Sequence, residues 1–148
     1  MGPLIIGQAP SMEHGEDEAL SGRSGERLAR FCGLTMFEFL ATFDRENLVE
    51  TFPGKAGKGD RFPGPREARR LAERFRPVVG GRRVVVLGFS TAAAFGLTHP
   101  ALTFAPHWGG DFAFSPHPSG VSRWWNDPEN LRRATAFWAD LARAARPA

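Results

Sequence analysis

The stretch RRVVVLGFSTAAAFGL, residues 82–97, decides the fold. Its first half, RRVVVLG, is β-branched and apolar at consecutive positions. That pattern belongs to a central parallel strand covered on both faces, not to a strand with one wet side. The small residues of STAAAFGL then predict a helix packed closely against that strand.

Working outward, the same alternation recurs. PREARRLAERF opens with Pro65 at a favoured first helical position and continues as a helix with a strongly basic outer face. Before it, NLVETFPGKAGKGDRFPGP passes from a brief apolar pair into a long Gly/Pro/Lys-rich loop, and such loops are usually functional or disordered. TMFEFLATF starts at Thr35 with Glu38 three residues on, a capping-box pattern. SGRSGERLARFCGL predicts a further helix, with Ser24 as N-cap and Arg27, Leu28, Phe31 and Cys32 along one inward stripe. PLIIG, residues 3–7, reads as a short buried strand entering the turn GQAPS, and the acidic EHGEDE, residues 13–18, as a solvated loop. Downstream, residues 102–105 and 111–114 read as two more short strands. DPENLRRATAFWADLARAA closes the chain as an amphipathic helix with Asp127 as N-cap and Pro128 first. The expected architecture is one α/β domain over residues 1–148, a three-layer sandwich around a short, mainly parallel central sheet.

Composition narrows the function. With 148 residues, 42% of them hydrophobic, the chain can bury one good core. The single Cys32 excludes an intramolecular disulfide framework and any all-cysteine zinc or iron–sulfur site, which fits a reducing, cytoplasmic setting. The apolar run Pro3–Ile6 meets Gly7 and Pro10 at once, so neither a signal peptide nor a membrane partner is expected. The net charge is only +3, but arginine dominates and the only lysines are Lys55 and Lys58. Arginine's planar fork suits phosphate, although a compositional bias gives the same count. PGKAGKGD is not a P-loop, because Gly59 follows Lys58 and Phe52 stands where the first glycine belongs. His14, His99, His107 and His117 lack ligand spacing, so no metal or other cofactor is expected.

Three loops remain, each at the carboxyl end of a strand: GQAPS, the segment from Asn47, and SPHPSGVSR. In open α/β sheets that edge is where ligands bind. The chain here resembles the uracil-DNA glycosylase superfamily nearly end to end. LIIGQAPS looks like its first motif, a Gly-x-x-Pro turn after the first strand. SGRSGERL and RRVVVLGFSTAAAFGL are similar to segments of the iron–sulfur-containing branch, and NLVETFPGK is placed like that branch's Asn-Val-Val-Lys-Cys-Arg-Pro segment. HPSGVSR is the most specific match: His-Pro-Ser opens the DNA-intercalating loop in many members, and Pro-Ser-Gly-Leu-Ser-Arg occurs in the mismatch-specific branch.

The resemblance implies a monofunctional DNA glycosylase that removes uracil or a related altered base flipped out of DNA and leaves an abasic site. His117 would donate to the base O2 as negative charge develops there. The Asn47 amide, a donor and an acceptor together, suits the N3 and O4 edge of a pyrimidine. Gln8 joins these two as a catalytic candidate. Gly7, Ala9, Pro10, Ser11 and Leu20 would line the base pocket, with N–H donors from the GQAPS backbone. Ser119, Gly120, Ser122 and Arg123 would hold the DNA backbone, and Val121 would fill the vacated stack. Each has a plainer competitor: Gln8 stabilising its turn, Asn47 or Ser119 capping a bend, and Trp124 and Trp125 anchoring the last helix rather than stacking on bases.

Three departures from the family pattern stand out. No carboxylate occupies the first motif at Ala9, and Glu13, Glu16 and Asp17 are the candidates to substitute for it. Leu20 stands where the iron–sulfur branch has a stacking phenylalanine, and Thr51 stands where a cluster cysteine is expected. A catalytically weak or inactive member that binds DNA or a flipped base is therefore the alternative, with a free-nucleobase hydrolase a weaker third. The expected partner is DNA, engaged by a monomer.

Overall fold

In this computed structural model, residues 2–10, 19–50, 54–56, 59–60, 62–118 and 123–145 are described. Four parallel strands carry the sheet: β1 (Leu4–Gly7), β2 (Asp44–Asn47), β5 (Arg83–Leu87) and β7 (Gly110–Ser115). A fifth, β6 (Ala105–His107), runs antiparallel on β7, and the order across the sheet is β2-β1-β5-β7-β6. A separate two-residue ladder, β3 (Lys55–Ala56) with β4 (Gly59–Asp60), stands within the long Gly/Pro-rich connection. The helices are α1 (Arg23–Cys32), α2 (Met36–Thr42), α3 (Pro65–Glu73), α4 (Phe89–Ala94) and α5 (Pro128–Ala145).

Period-two alternation along the central strands divides the core into two halves. Leu4 and Ile6 of β1, Val84 and Val86 of β5, and Phe112 and Phe114 of β7 face α3 and α4, where Ala68, Ala72, Phe75, Ala92 and Phe95 receive them. Ile5, Val85 and Leu87 face the other way, onto Leu28, Cys32, Phe39, Phe43, Trp138 and Leu141 of the α1, α2 and α5 layer. The result is the expected α/β sandwich of three layers around a mainly parallel sheet. At its amino edge Arg82 bonds both the Gly2 carbonyl at 2.7 Å and the Asp44 carboxylate at 2.5 Å, tying the start of β5 to the start of β2.

Several elements follow their local chemistry. The Thr35–Glu38 capping box forms in both directions, at 3.0 and 3.1 Å. Pro65 and Pro128 open their helices, and the Glu129 N–H donates to the Asp127 side chain at 2.9 Å.

Others differ from the sequence reading. Gly22, not Ser24, is the N-cap of α1 and makes no side-chain cap bond. Ser24 already lies inside the helix, and the buried stripe is Gly25, Leu28, Ala29 and Cys32, with Arg27 and Phe31 half-buried on its flank. The strand expected at 102–105 begins only at Ala105, because Leu102 takes a left-handed conformation (φ 62°) and donates its N–H to the Phe114 carbonyl at 2.9 Å. Among the described residues, no helix is long and apolar enough to cross a membrane.

Cys32 is buried under α1, and loss of solvation pushes its thiol up to about 12. The thiolate is the reactive form. A chromogenic disulfide reagent at pH 8 should therefore leave Cys32 unlabelled in the folded protein and label it stoichiometrically in denaturant; rapid native labelling would show the α1 layer opening.

Candidate functional site

At the carboxyl edge the chain leaves β1 for β2 on one side and reaches β5 and then β7 on the other, so the β1–β5 boundary is the topological switch point of the sheet. Crevices at such points are where open α/β sheets bind ligands. Two groups of expected residues flank it.

The first group gathers around Gly7. Gly7 and Asn47 end their strands in register, and a Cβ on Gly7 would lie 2.7 Å from Asn47 Oδ1 and 3.5 Å from Leu20 Cδ2. Only a residue without a side chain leaves that space to the amide. The turn is pinned from β2: the Leu48 N–H donates to the Gly7 carbonyl at 2.8 Å and the Val49 N–H to that of Gln8 at 2.9 Å. Gln8 and Ala9 are half-buried and Pro10 is buried. Leu20 is held against Gly7 in a left-handed conformation (φ 59°), which costs a non-glycine residue about 1 kcal/mol. Two neighbours fix it there. Arg45 of β2 donates to the Ala19 carbonyl at 3.0 Å, and the Leu20 carbonyl packs where a Cβ on Gly25 would come within 1.8 Å.

The second group gathers around His117. Gly88, at φ 96°, turns the chain after β5 and donates its N–H to the Ser115 carbonyl at 2.8 Å. A Cβ on Gly88 would sit 3.8 Å from His117 Cβ and 3.7 Å from Thr91 Oγ1. His117 is half-buried there. Its carbonyl accepts the Trp125 indole N–H at 2.7 Å, and the next carbonyl, of Pro118, accepts Arg27 Nη1 at 2.8 Å. The guanidinium lies 4.7 Å from the Trp125 ring, and Trp125 stacks on Phe31 with centroids 5.4 Å apart. Trp125 thus anchors the start of α5 and also clamps the histidine loop with its polar edge. Trp124 meets it edge-on at 4.9 Å.

Sequence reasoning placed Arg27 only in a packing stripe and gave Gly88 and Thr91 no role. The available signals were a glycine directly after the clearest strand and an arginine among apolar helix positions. Thr91 Oγ1 is buried with no partner among the described residues. Arg123, exposed, begins the 3-10 turn Arg123–Asn126 that leads into α5. Ser11, Ser119, Gly120, Val121 and Ser122 lie outside the described residues, as do Glu13, Glu16, Asp17 and Thr51. His99 and His107 each bond a backbone carbonyl through Nε2, to Phe112 at 2.9 Å and Phe95 at 2.7 Å, and no metal-holding group of His, Cys, Asp or Glu occurs among the described residues.

Trp125→Phe keeps the ring stack but strips the donor from a part-buried carbonyl. It should lower unfolding free energy in urea by about 1–2 kcal/mol. Gly25→Ala forces the Leu20 backbone away and should cost about 1–3 kcal/mol in the same titration; wild-type stability in both variants would refute these two supports.

The family model described as the uracil DNA glycosylase superfamily matches residues 3–142. A comparison with curated proteins finds no match.

Proposed function

We propose that this chain, which belongs to the uracil-DNA glycosylase superfamily, hydrolyses the N-glycosidic bond of uracil or a closely related deaminated or modified base extruded from DNA. The observation that carries the reading is the pairing of Asn47 over Gly7 with His117 against Gly88, on opposite sides of the sheet's switch point. Neighbouring strands are about 4.8 Å apart, so β2 and β7 are separated by about 14 Å. In this reading Asn47 and His117 reach across that span from its two sides, and each holds one end of a single planar ring.

Each group has a definite task. Water adds its oxygen to C1′ and gives up one proton to solvent while the C1′–N1 bond breaks, and the bonding pair leaves with the base as an anion spread over N1, O2 and O4. His117, donating to O2, stabilises that charge as it forms, and such preorganised donors act most strongly where water is excluded. The Asn47 amide accepts from N3–H and donates to O4, a pairing that cytosine, with the opposite pattern at these positions, does not offer. The Gln8 and Ala9 backbone borders the same pocket. Arg123 and the segment 119–122 hold the DNA, with Val121 entering the stack.

Leu20 favours a second reading. An aliphatic side chain packs against Gly7 where the resemblance leads one to expect an aromatic ring under the base, which suits a member that holds a base without cutting it.

Alkaline cleavage of labelled oligonucleotides carrying uracil, hypoxanthine, xanthine or hydroxymethyluracil, single-stranded and paired, separates the two. The expected result is cleavage at uracil or one of its relatives, with His117→Ala and Asn47→Ala each lowering the single-turnover rate by about 10²-fold or more. Retained DNA binding with no abasic product at stoichiometric protein would overturn the enzymatic reading in favour of the second.

A further inference from the structure

The arginines of α3 and the turn after it fall into two sets. Arg70 bonds the Glu67 carboxylate through two nitrogens, and this contact holds that carboxyl below the usual carboxylate range. Arg74 bonds Glu50 at 2.8 Å and the Leu48 carbonyl at 3.0 Å. Arg76 contacts Glu73 at 3.4 Å and lies 5.3 Å from the Trp108 ring. Arg66 and Arg69, both exposed, have no partner among the described residues. The unpaired cations therefore sit in the first half of the helix.

That half is the end nearer the site. α3 returns the chain from the carboxyl end of β2 to the amino end of β5. Arg74, just past its last turn, still bonds Leu48 immediately beyond β2, and the chain reaches the amino edge at Val79, whose carbonyl packs against Gly110 at the start of β7. A helix rises about 1.5 Å per residue, so Arg69 and Arg66 lie about 8 and 12 Å along the helix from Arg74, in the direction of the carboxyl edge.

Beside α3, on the same layer, α4 begins with Phe89, which is 53% exposed. Gly88 turns the chain so that this ring follows directly on the glycine that packs against His117. The edge-on contact with Phe114, centroids 5.8 Å apart, steadies the ring. Isolated exposed apolar residues are ordinary. Phe37 is more exposed at 84%, but it lies on α2, which feeds the amino end of β2. Phe89 differs in being a supported aromatic ring at the ligand edge with free guanidinium groups on the adjoining helix. Stacking surface beside phosphate-binding cations is how proteins follow a nucleic-acid strand.

We propose that the α3–α4 side of the carboxyl edge is a second DNA-contact surface, which takes the strand flanking the extruded nucleotide: Phe89 stacks on an unpaired base, and Arg66 and Arg69 bind phosphates. This rests on the glycosylase-fold reading of DNA as the ligand. It adds a path for the strand on the opposite side of the sheet from the α1–α5 layer that clamps the His117 loop.

The test is fluorescence anisotropy of a labelled single-stranded 20-mer with one tetrahydrofuran abasic analogue, titrated at several KCl concentrations. The Arg66→Ala/Arg69→Ala protein should reduce the slope of log K against log salt by about 0.7 for each arginine. Phe89→Ala should weaken binding about tenfold at constant slope, with Phe89→Trp restoring it. Phe37→Ala and Arg143→Ala, the latter removing an arginine paired with Asp140 at the far end of α5, should match the wild type. Thermal melts confirm that each variant is folded, and Phe89→Trp together with the arginine pair keeps the test alive if Phe89→Ala is not. Wild-type slopes and affinities in all site variants, with wild-type binding intact, would overturn this surface alone. A wild-type protein that neither binds nor cleaves any of the DNAs would overturn the glycosylase reading as well.

Discussion

The parallel pairing of β1 with β5 is the constraint on which everything else rests. Leu4, Ile5 and Ile6 lie in register with Val84, Val85 and Val86, and all six are buried. Two three-residue runs thus supply the middle of both core halves, since each pair alternates between the α3–α4 layer and the α1–α2–α5 layer. A slip of one residue would turn every one of these side chains to the wrong layer. The same register fixes where the two strands end, and therefore where Gly7 and Gly88 stand relative to one another.

Those glycines show how the site is made by omission. Neither contributes a functional group. Gly7 leaves room for an amide from the neighbouring strand, and Gly88 permits the positive-φ turn that brings the end of β5 beside His117. Gly25 does the same one step removed, admitting the Leu20 carbonyl so that Leu20 can reach Gly7. Donors behind the site hold its backbone: Arg45 bonds the Ala19 carbonyl beside Leu20, and Trp125 and Arg27 bond the carbonyls of the histidine loop.

Much of this was legible in the sequence where local chemistry and burial agree. The strand at Val84–Leu87, the capping box at Thr35 and the proline starts at Pro65 and Pro128 are all decided by their own residues and near neighbours. β2 was harder to see because DREN has no apolar alternation; it is an edge strand held by backbone bonds to β1 with its side chains at or near the surface. Ser24 looked like a cap by residue type alone, but Gly25 lies against the Leu20 carbonyl and α1 begins two residues earlier, with Gly22 at the cap. The places of Gly7, Asn47 and His117 at or just beyond strand ends followed from strand and motif order, while Leu20 came only from the resemblance. The clamp on His117 did not, since Arg27 and Pro118 are 91 positions apart and nothing in either segment announces the other.

That separation makes the histidine loop depend on the α1 layer. The Gly7–Asn47 contact joins segments within the first 50 residues, whereas the histidine loop is steadied by its near neighbour Trp125 and, across 91 positions, by Arg27 of α1. The Arg27–Pro118 contact carries the entropic cost of closing the intervening chain before it stabilises anything. Loosening α1 would therefore free the histidine loop on one side while the β1–β2 register and Asn47 beside Gly7 stay in place.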